Sequence, residues 1–137
     1  MNINIDFVNK LRISGLRPTK QRLKICEVLF NTEKTFHFTV NDLSKIISEK
    51  LNQKISLATV YNTVHAFKKK GYLKEISMNS EKTYFDTNTS HHHHFFDSST
   101  KELTDLSDDQ VEKIKINRAL PGKKISSVEI LVKVENE

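Results

Sequence analysis

Residues 56–71 have the sequence SLATVYNTVHAFKKKG, which is the most informative segment of the chain for its fold. Its large apolar side chains recur at the spacing of one helix face: Leu57, Val60, Val64 and Phe67. Ser56 is a favourable helix N-cap, the three lysines before Gly71 complement the helix dipole, and Gly71 is a common helix terminator. The spacing predicts an amphipathic helix whose opposite face is available for contacts outside the core.

The segments on either side of this helix predict a small helical domain with a hairpin. Hydrophobic residues at helical spacing predict three earlier helices, over residues 4–14, 19–30 and 39–50. Two strand-like segments follow, over residues 72–77 and 82–86. Met78–Glu81 between them is suited to a hairpin turn. Helices followed by a two-stranded hairpin are typical of a winged helix.

The second half of the chain has a different pattern. It predicts strands at residues 92–97 and 102–106, a helix over residues 108–120 and a last strand over residues 125–134. The expected class is therefore α+β, with a winged-helix domain over residues 1–86 and a small α/β domain over residues 87–137. A domain that small buries too little apolar surface to be stable alone, so we expect a homodimer.

Composition excludes several classes of protein. Hydrophobic residues make up 36% and charged residues 28% of the 137 residues, which is typical of a soluble globular chain. No apolar run reaches the roughly 20 residues that span a bilayer, and the N-terminus lacks a signal-peptide pattern, so we expect a cytoplasmic protein without membrane contact. The single cysteine, Cys26, lies on an apolar helix face and is expected in the core. Any metal must then be held by histidine and carboxylate side chains.

Charge is divided unevenly along the chain. Residues 1–85 carry 15 Lys and Arg against 7 Asp and Glu, a net charge of +8. Residues 86–137 carry 7 against 10, a net charge of −3. This asymmetry favours contact of the first half alone with double-stranded DNA, because phosphate neutralisation supplies most non-specific affinity. An ordinary solvated surface is the alternative.

The outer face of the helix over residues 56–71 is the candidate reading surface. It carries small or hydrogen-bonding side chains with little charge: Ala58, Thr59, Tyr61, Asn62 and Thr63. Asn pairs with adenine, and the methyl groups of Ala and Thr suit that of thymine, so we predict an A·T-rich operator. Arg17 is placed to enter a narrow minor groove, and Lys20, Arg22 and Lys82 are candidate phosphate contacts. A plain solvated helix face is the alternative.

The run SHHHHFF, residues 90–96, is the strongest chemical signal. On an extended strand His92 and His94 project to one face, and His91 and His93 project to the other. Two imidazoles on one face can bind a metal ion, and a haem iron needs one or two as axial ligands. Histidines on a solvated loop are the alternative. Further candidate ligands lie elsewhere in the sequence: His37, Asp86, Asp105 and Glu112.

Three motifs together resemble the ferric uptake regulator family: GLRPTKQR at residues 15–22, SLATVYNT at residues 56–63, and KTYFD at residues 82–86 leading into the histidine run. The resemblance is closest to the iron response regulator branch. It implies a homodimer with a winged-helix DNA-binding domain, an α/β dimerisation domain and a metal at or near the hinge. It also implies two ligand sets, His37, Asp86, His93 and Asp105 at the hinge, and His92, His94 and Glu112 at a second, sensory position.

Two departures from the family pattern favour haem over free metal as the effector. Phe95 stands where many members have a further ligating histidine, and Val128 or a neighbour stands where the last histidine of the second site would be. The usual cysteine pairs for structural zinc are also missing. Cys26 is followed by Glu27, so the Cys-Pro haem motif of some branch members is absent and haem would bind through His92, His93 and His94.

The sequence therefore predicts a DNA-binding regulator of iron and haem metabolism genes that loses operator affinity when haem binds. The alternative is a ferric or zinc uptake regulator whose DNA binding is strengthened by a divalent metal such as Fe, Mn or Zn. An enzyme or a haem carrier is disfavoured, since no residue suggests a nucleophile or an oxyanion donor.

Overall fold

The computed structural model describes residues 3–78 and 81–137 and divides the chain into two compact units, Met1–Thr89 and Ser90–Glu137. In the described residues, the first unit contains four α-helices and a small sheet. Over the same residues, the second unit contains another small sheet and a single 3-10 turn. The predicted α+β class is confirmed.

The helices of the first unit begin where the sequence predicts. The predicted N-caps Thr19, Thr39 and Ser56 each accept a hydrogen bond from a backbone N–H three residues further on, at 3.1–3.3 Å. Thr39 also forms a reciprocal capping box with Asp42. Gly71 follows the last helix with a φ of +84°, a conformation that other residues rarely adopt. The helices are α1 (Ile3–Ile13), α2 (Lys20–Phe30), α3 (Val40–Leu51) and α4 (Leu57–Lys69).

A three-stranded antiparallel sheet completes the first unit. Its strands are β1 (His37–Phe38), β2 (Lys74–Ile76) and β3 (Tyr84–Asp86), in the order β1-β3-β2. Strands β2 and β3 are the predicted hairpin, and Asn79 and Ser80 of its turn lie outside the described residues. Strand β1 was not predicted, because two residues are too few for an alternating pattern. It places His37 directly opposite Asp86.

The core of the first unit joins side chains from all four helices to the sheet. Its largest members with almost no exposure are Phe38, Phe67 and Phe85. Cys26 is fully buried among them, as predicted, and this burial raises the pKa of its thiol to about 12. The thiol is therefore a core side chain without the low pKa of a reactive cysteine.

The sheet of the second unit consists of β4 (His93–Asp97), β5 (Leu103–Leu106) and β6 (Leu131–Val134), in the order β5-β4-β6. Strand β4 pairs antiparallel with β5 and parallel with β6. The predicted strands at residues 92–97 and 102–106 are confirmed as β4 and β5. The predicted helix over residues 108–120 is wrong, since only Asp108–Gln110 forms a 3-10 turn, and the last strand is shorter than predicted.

Exposed apolar side chains give the physical reason for the missing helix. Ile114, Ile116, Leu120 and Ile125 keep 48–61% of their surface exposed. Helices in proteins gain most of their stability by packing an apolar face, and this segment has no such packing within the described part of the unit. Among residues 3–78 and 81–137, none of the helices has the length and apolar character that a bilayer crossing requires.

Candidate DNA-reading helix and histidine clusters

The N-terminal half of α4 presents an exposed polar surface. Ala58, Tyr61 and Asn62 are exposed, and Tyr61 keeps 52% of its surface accessible. Thr59 is partly covered, and both its backbone N–H and its hydroxyl form hydrogen bonds with the Ser56 hydroxyl. Amide, phenol and methyl groups on one short helix face can form hydrogen bonds and apolar contacts with base edges.

Thr63 does not belong to this surface. It has no exposed area, and its hydroxyl donates to the Thr59 carbonyl oxygen at 2.8 Å. Residues 60, 63 and 67 share one helix face, so Thr63 lies between the buried Val60 and Phe67. The prediction of a DNA contact for Thr63 is therefore corrected. Leu57, expected on the buried stripe, is half exposed at the first turn instead.

The predicted basic residues differ in their surroundings. Arg17 is exposed, and its carbonyl oxygen accepts a hydrogen bond from the Arg22 Nη1 at 3.0 Å. The Arg22 Nε is buried and lacks a hydrogen-bond partner in the described part of the chain. Arg22 therefore holds the loop that carries Arg17. Lys82 is exposed two residues before β3.

A groove of about 510 Å³ near the start of α2 collects further positive charge. Lys20 and Lys24 contribute from α2, and Lys54 contributes from the loop before α4. Gln21 and Gln53 complete its lining. The described lining contains three cationic side chains and no carboxylate, which suits contact with phosphate groups.

A partly buried histidine is paired with a buried aspartate on the sheet of the first unit. The Asp86 side chain is 1% exposed, and its Oδ2 lies 3.3 Å from the His37 Nε2. The other oxygen, Oδ1, accepts the Asn88 backbone N–H at 2.8 Å. A buried carboxylate is tolerated only when it is paired and hydrogen-bonded. Both side chains are of types that ligate divalent metals.

In the second unit, His92 and His94 share one face of the sheet. Their ring centroids are 4.5 Å apart, and both rings are more than nine-tenths buried. The Oδ1 of Asp105 lies 3.4 Å from the His92 Nε2 and 3.5 Å from the His94 Nε2. The three donor atoms therefore converge, all within 4.8 Å of one another. Two imidazoles and one carboxylate are a ligand set of catalytic or regulatory metal sites.

The opposite face carries a second convergent set, formed by His91, His93 and Asp108. The Oδ1 of Asp108 lies 2.9 Å from the His93 Nε2 and 3.8 Å from the His91 Nδ1. The Ile130 backbone N–H donates to the His93 Nδ1 at 3.1 Å, so the proton of the neutral ring is on Nε2. Both ring nitrogens are therefore engaged in hydrogen bonds, and a metal ion at Nε2 would have to replace the proton that points at Asp108. Glu112 lines the adjoining cavity of about 640 Å³.

The two clusters differ from the sets that the resemblance implies. His93 lies beside Asp108 rather than Asp105, and His92 and His94 lie beside Asp105 rather than Glu112. The cause is the strand register, because His94 pairs with Asp105 across β4 and β5 and directly opposed residues project to the same face. His91, omitted from the predicted ligands, joins the set of His93.

Similarity to known proteins is consistent with these features. The Bacillus subtilis peroxide operon regulator is 34% identical over 85 residues, which are 62% of this chain and 57% of that protein. The chain therefore spans little more than half the length of such curated relatives. The structure of the Vibrio cholerae ferric uptake regulator superposes with a TM-score of 0.71 at 25% identity, over 94% of this chain and 98% of that one.

A second solved structure, the Pseudomonas aeruginosa ferric uptake regulator with manganese, has a TM-score of 0.68 at 21% identity, over 96% of this chain and 98% of that one. At this identity the likeness concerns the fold alone. The sequence profile of the ferric uptake regulator family matches residues 13–133, which is most of the 137 residues. The chain belongs to the ferric uptake regulator family.

Proposed function

We propose that this chain is a cytoplasmic, dimeric transcription regulator, not an enzyme, whose affinity for operator DNA is strengthened by a divalent metal ion. Residues 1–86 would read DNA, and residues 87–137 would dimerise and sense the metal. The observation that carries the proposal is the convergence of His92, His94 and Asp105 in a chain that also presents an exposed polar helix face.

The DNA contact is assigned to three surfaces of the first unit. Base edges would be met by Ala58, Tyr61 and Asn62 of α4, with a preference for A·T-rich sequence. Phosphates would be met by the lysines of the groove near α2 and by Lys82, while Arg17 would enter the minor groove. Arg22 would act through Arg17, whose carbonyl it holds.

The metal is assigned to the histidine–carboxylate sets. The ligands would be His92, His94 and Asp105 on one face, His91, His93 and Asp108 with Glu112 on the other, and the pair His37 and Asp86 in the first unit. A bound metal ion would supply positive charge among these imidazole and carboxylate groups and would take the place of protons there. Zinc is expected to bind more tightly than ferrous or manganous ion, following the general affinity order for nitrogen and oxygen ligands.

Dimerisation is assigned to the second unit. Ile114, Ile116, Leu120 and Ile125 expose about half or more of their surface, although they are large apolar side chains. Contact of these side chains with a second copy of the chain would remove their apolar surface from water, which favours association. Size-exclusion chromatography with light scattering is expected to give twice the mass of 15.9 kDa.

The haem-responsive version predicted from the sequence is the second hypothesis. Its basis is the run His92 to His94 with Phe95 and Phe96 beside it. Two observations weigh against it: all three rings are buried, and carboxylates lie beside their Nε2 atoms. A haem iron would have to displace the carboxylate beside the ligating nitrogen, whereas a single ion fits between imidazoles and carboxylates.

Operator binding separates the two hypotheses by the sign of the response. An operator is first selected from a random-sequence library, and its affinity is measured by fluorescence anisotropy with chelator, with Zn²⁺ or Mn²⁺, and with haemin. We expect the metals to strengthen binding and haemin to leave it unchanged. Weakening by haemin with no response to metal would replace this proposal with the haem-responsive one.

A further inference from the structure

Three aromatic rings form a continuous series of contacts that leads from the exposed face of α4 into the core. The ring centroids of Tyr61 and His65 are 4.1 Å apart, with 35° between the planes. The His65 and Phe85 rings are in T-shaped contact, with their centroids 5.5 Å apart and 83° between the planes. Tyr61 is half exposed, His65 is partly buried, and Phe85 is fully buried in the core.

This arrangement limits the freedom of the Tyr61 side chain. Residues four apart on a helix are neighbours, so His65 lies one turn after Tyr61 and can support its ring. An exposed tyrosine without such support would sample several rotamers and lose that freedom on binding. His65 is itself restrained by Phe85, a residue of β3 that cannot move without disturbing the core.

We infer that His65 is a positioning residue that fixes the Tyr61 ring for contact with a thymine methyl group and so contributes to operator specificity. This inference rests on the proposed DNA-binding function. Apolar contact with the C5-methyl group is how an aromatic side chain distinguishes thymine in the major groove. His65 itself would touch no base, because it lies one helical turn further from the N-terminal end of α4, where base edges are met.

A purely structural role for His65 makes a different prediction. Loss of a structural side chain weakens binding to every operator by the same factor. Loss of a positioning side chain removes the dependence on one thymine methyl group, while the remaining contacts persist. The two roles are separated by combining protein variants with thymine-to-uracil changes, since uracil lacks only the C5-methyl group.

The experiment uses the full-length chain and an operator selected from a random-sequence library. Each thymine is replaced in turn by uracil, and affinities are measured for the unaltered protein and for His65→Ala, His65→Gln, His65→Phe and Tyr61→Ala. The unaltered protein is expected to lose about fourfold in affinity at one thymine of each half-site, the effect of one methyl group. This loss should disappear in His65→Ala, His65→Gln and Tyr61→Ala and persist in His65→Phe, which retains a ring.

Thermal unfolding followed by circular dichroism identifies variants that do not fold, and His65→Gln serves if His65→Ala fails. A fourfold uracil effect that persists in both ring-free variants would overturn the inference. So would the absence of any uracil effect in the unaltered protein. Failure to select any DNA would instead refute the proposed function, and the inference with it.

Discussion

Replacing Asp105 with asparagine is expected to abolish tight metal binding at His92 and His94. One oxygen of Asp105 lies within 3.5 Å of both imidazole nitrogens, and it supplies the only negative charge among these three donors. Asparagine has nearly the same shape but no charge, so the variant retains the packing and removes one anionic ligand.

The expected loss follows from the number of donors. Removing an outer-sphere partner of a metal ligand already costs about 10–100-fold in affinity. Loss of one of three direct ligands should therefore weaken that site by at least about 100-fold, or about 2.7 kcal/mol. Without metal the cost should be small. The Asp105 side chain is 44% exposed, and exposed ion pairs contribute about 0–1 kcal/mol.

Zinc affinity and stoichiometry are measured by competition with a chromophoric chelator. Asp109→Asn is the matched control, because Asp109 is an exposed carboxylate of the same unit outside both clusters. The Asp105→Asn variant should lose one tight equivalent, and the control should lose none. Unchanged stoichiometry and affinity in Asp105→Asn would refute the assignment of this cluster.

Three further outcomes are expected. Thr39→Ala should lower the free energy of unfolding by about 1 kcal/mol in urea titrations, because the hydrogen bond that the Thr39 hydroxyl accepts from the Asp42 backbone N–H is removed; an unchanged midpoint and slope would contradict this. The Cys26 thiol should resist Ellman's reagent at pH 8 unless the chain is unfolded. Because its pKa is raised from 9.0 to about 12 on folding, the thiol should not affect stability below pH 9 and should lower it as the pH rises from 9 towards 12; rapid native labelling would be inconsistent with its burial. The three groove lysines, Lys20, Lys24 and Lys54, are replaced together by alanine. The slope of log operator affinity against log salt concentration should become shallower by about 0.9 for each phosphate that is no longer neutralised, without a change in sequence preference. An unchanged slope would exclude the groove from the DNA interface.

The helices of the first unit could be predicted because their determinants are local. Thr19, Thr39 and Ser56 each cap the helix that follows them, and Gly71 ends α4 in a conformation that other residues disfavour. Helical periodicity and capping act over a few residues, so the sequence is sufficient. Thr63 was placed on the wrong face because a threonine that bonds to the preceding turn can be buried despite its polarity.

The second unit was predicted less completely because its contacts are distant in sequence. The alternation of His91 to His94 between the two faces of the sheet follows from an extended strand alone, and the structure has this alternation. Their carboxylate partners depend on the register between β4 and β5, which no local pattern specifies. The predicted helix after Gln110 failed for a similar reason, since its apolar residues need a partner surface.

We expect metal and operator to bind cooperatively, and thermodynamic linkage between the two binding equilibria provides the test. If metal strengthens operator binding by a given factor, operator must strengthen metal binding by the same factor. The decisive measurement is the Mn²⁺ affinity of the protein by calorimetry with and without saturating operator. We expect metal to bind about 5–150-fold more tightly in the presence of operator, the range that is typical of coupling between two sites. An unchanged or weaker metal affinity would contradict it.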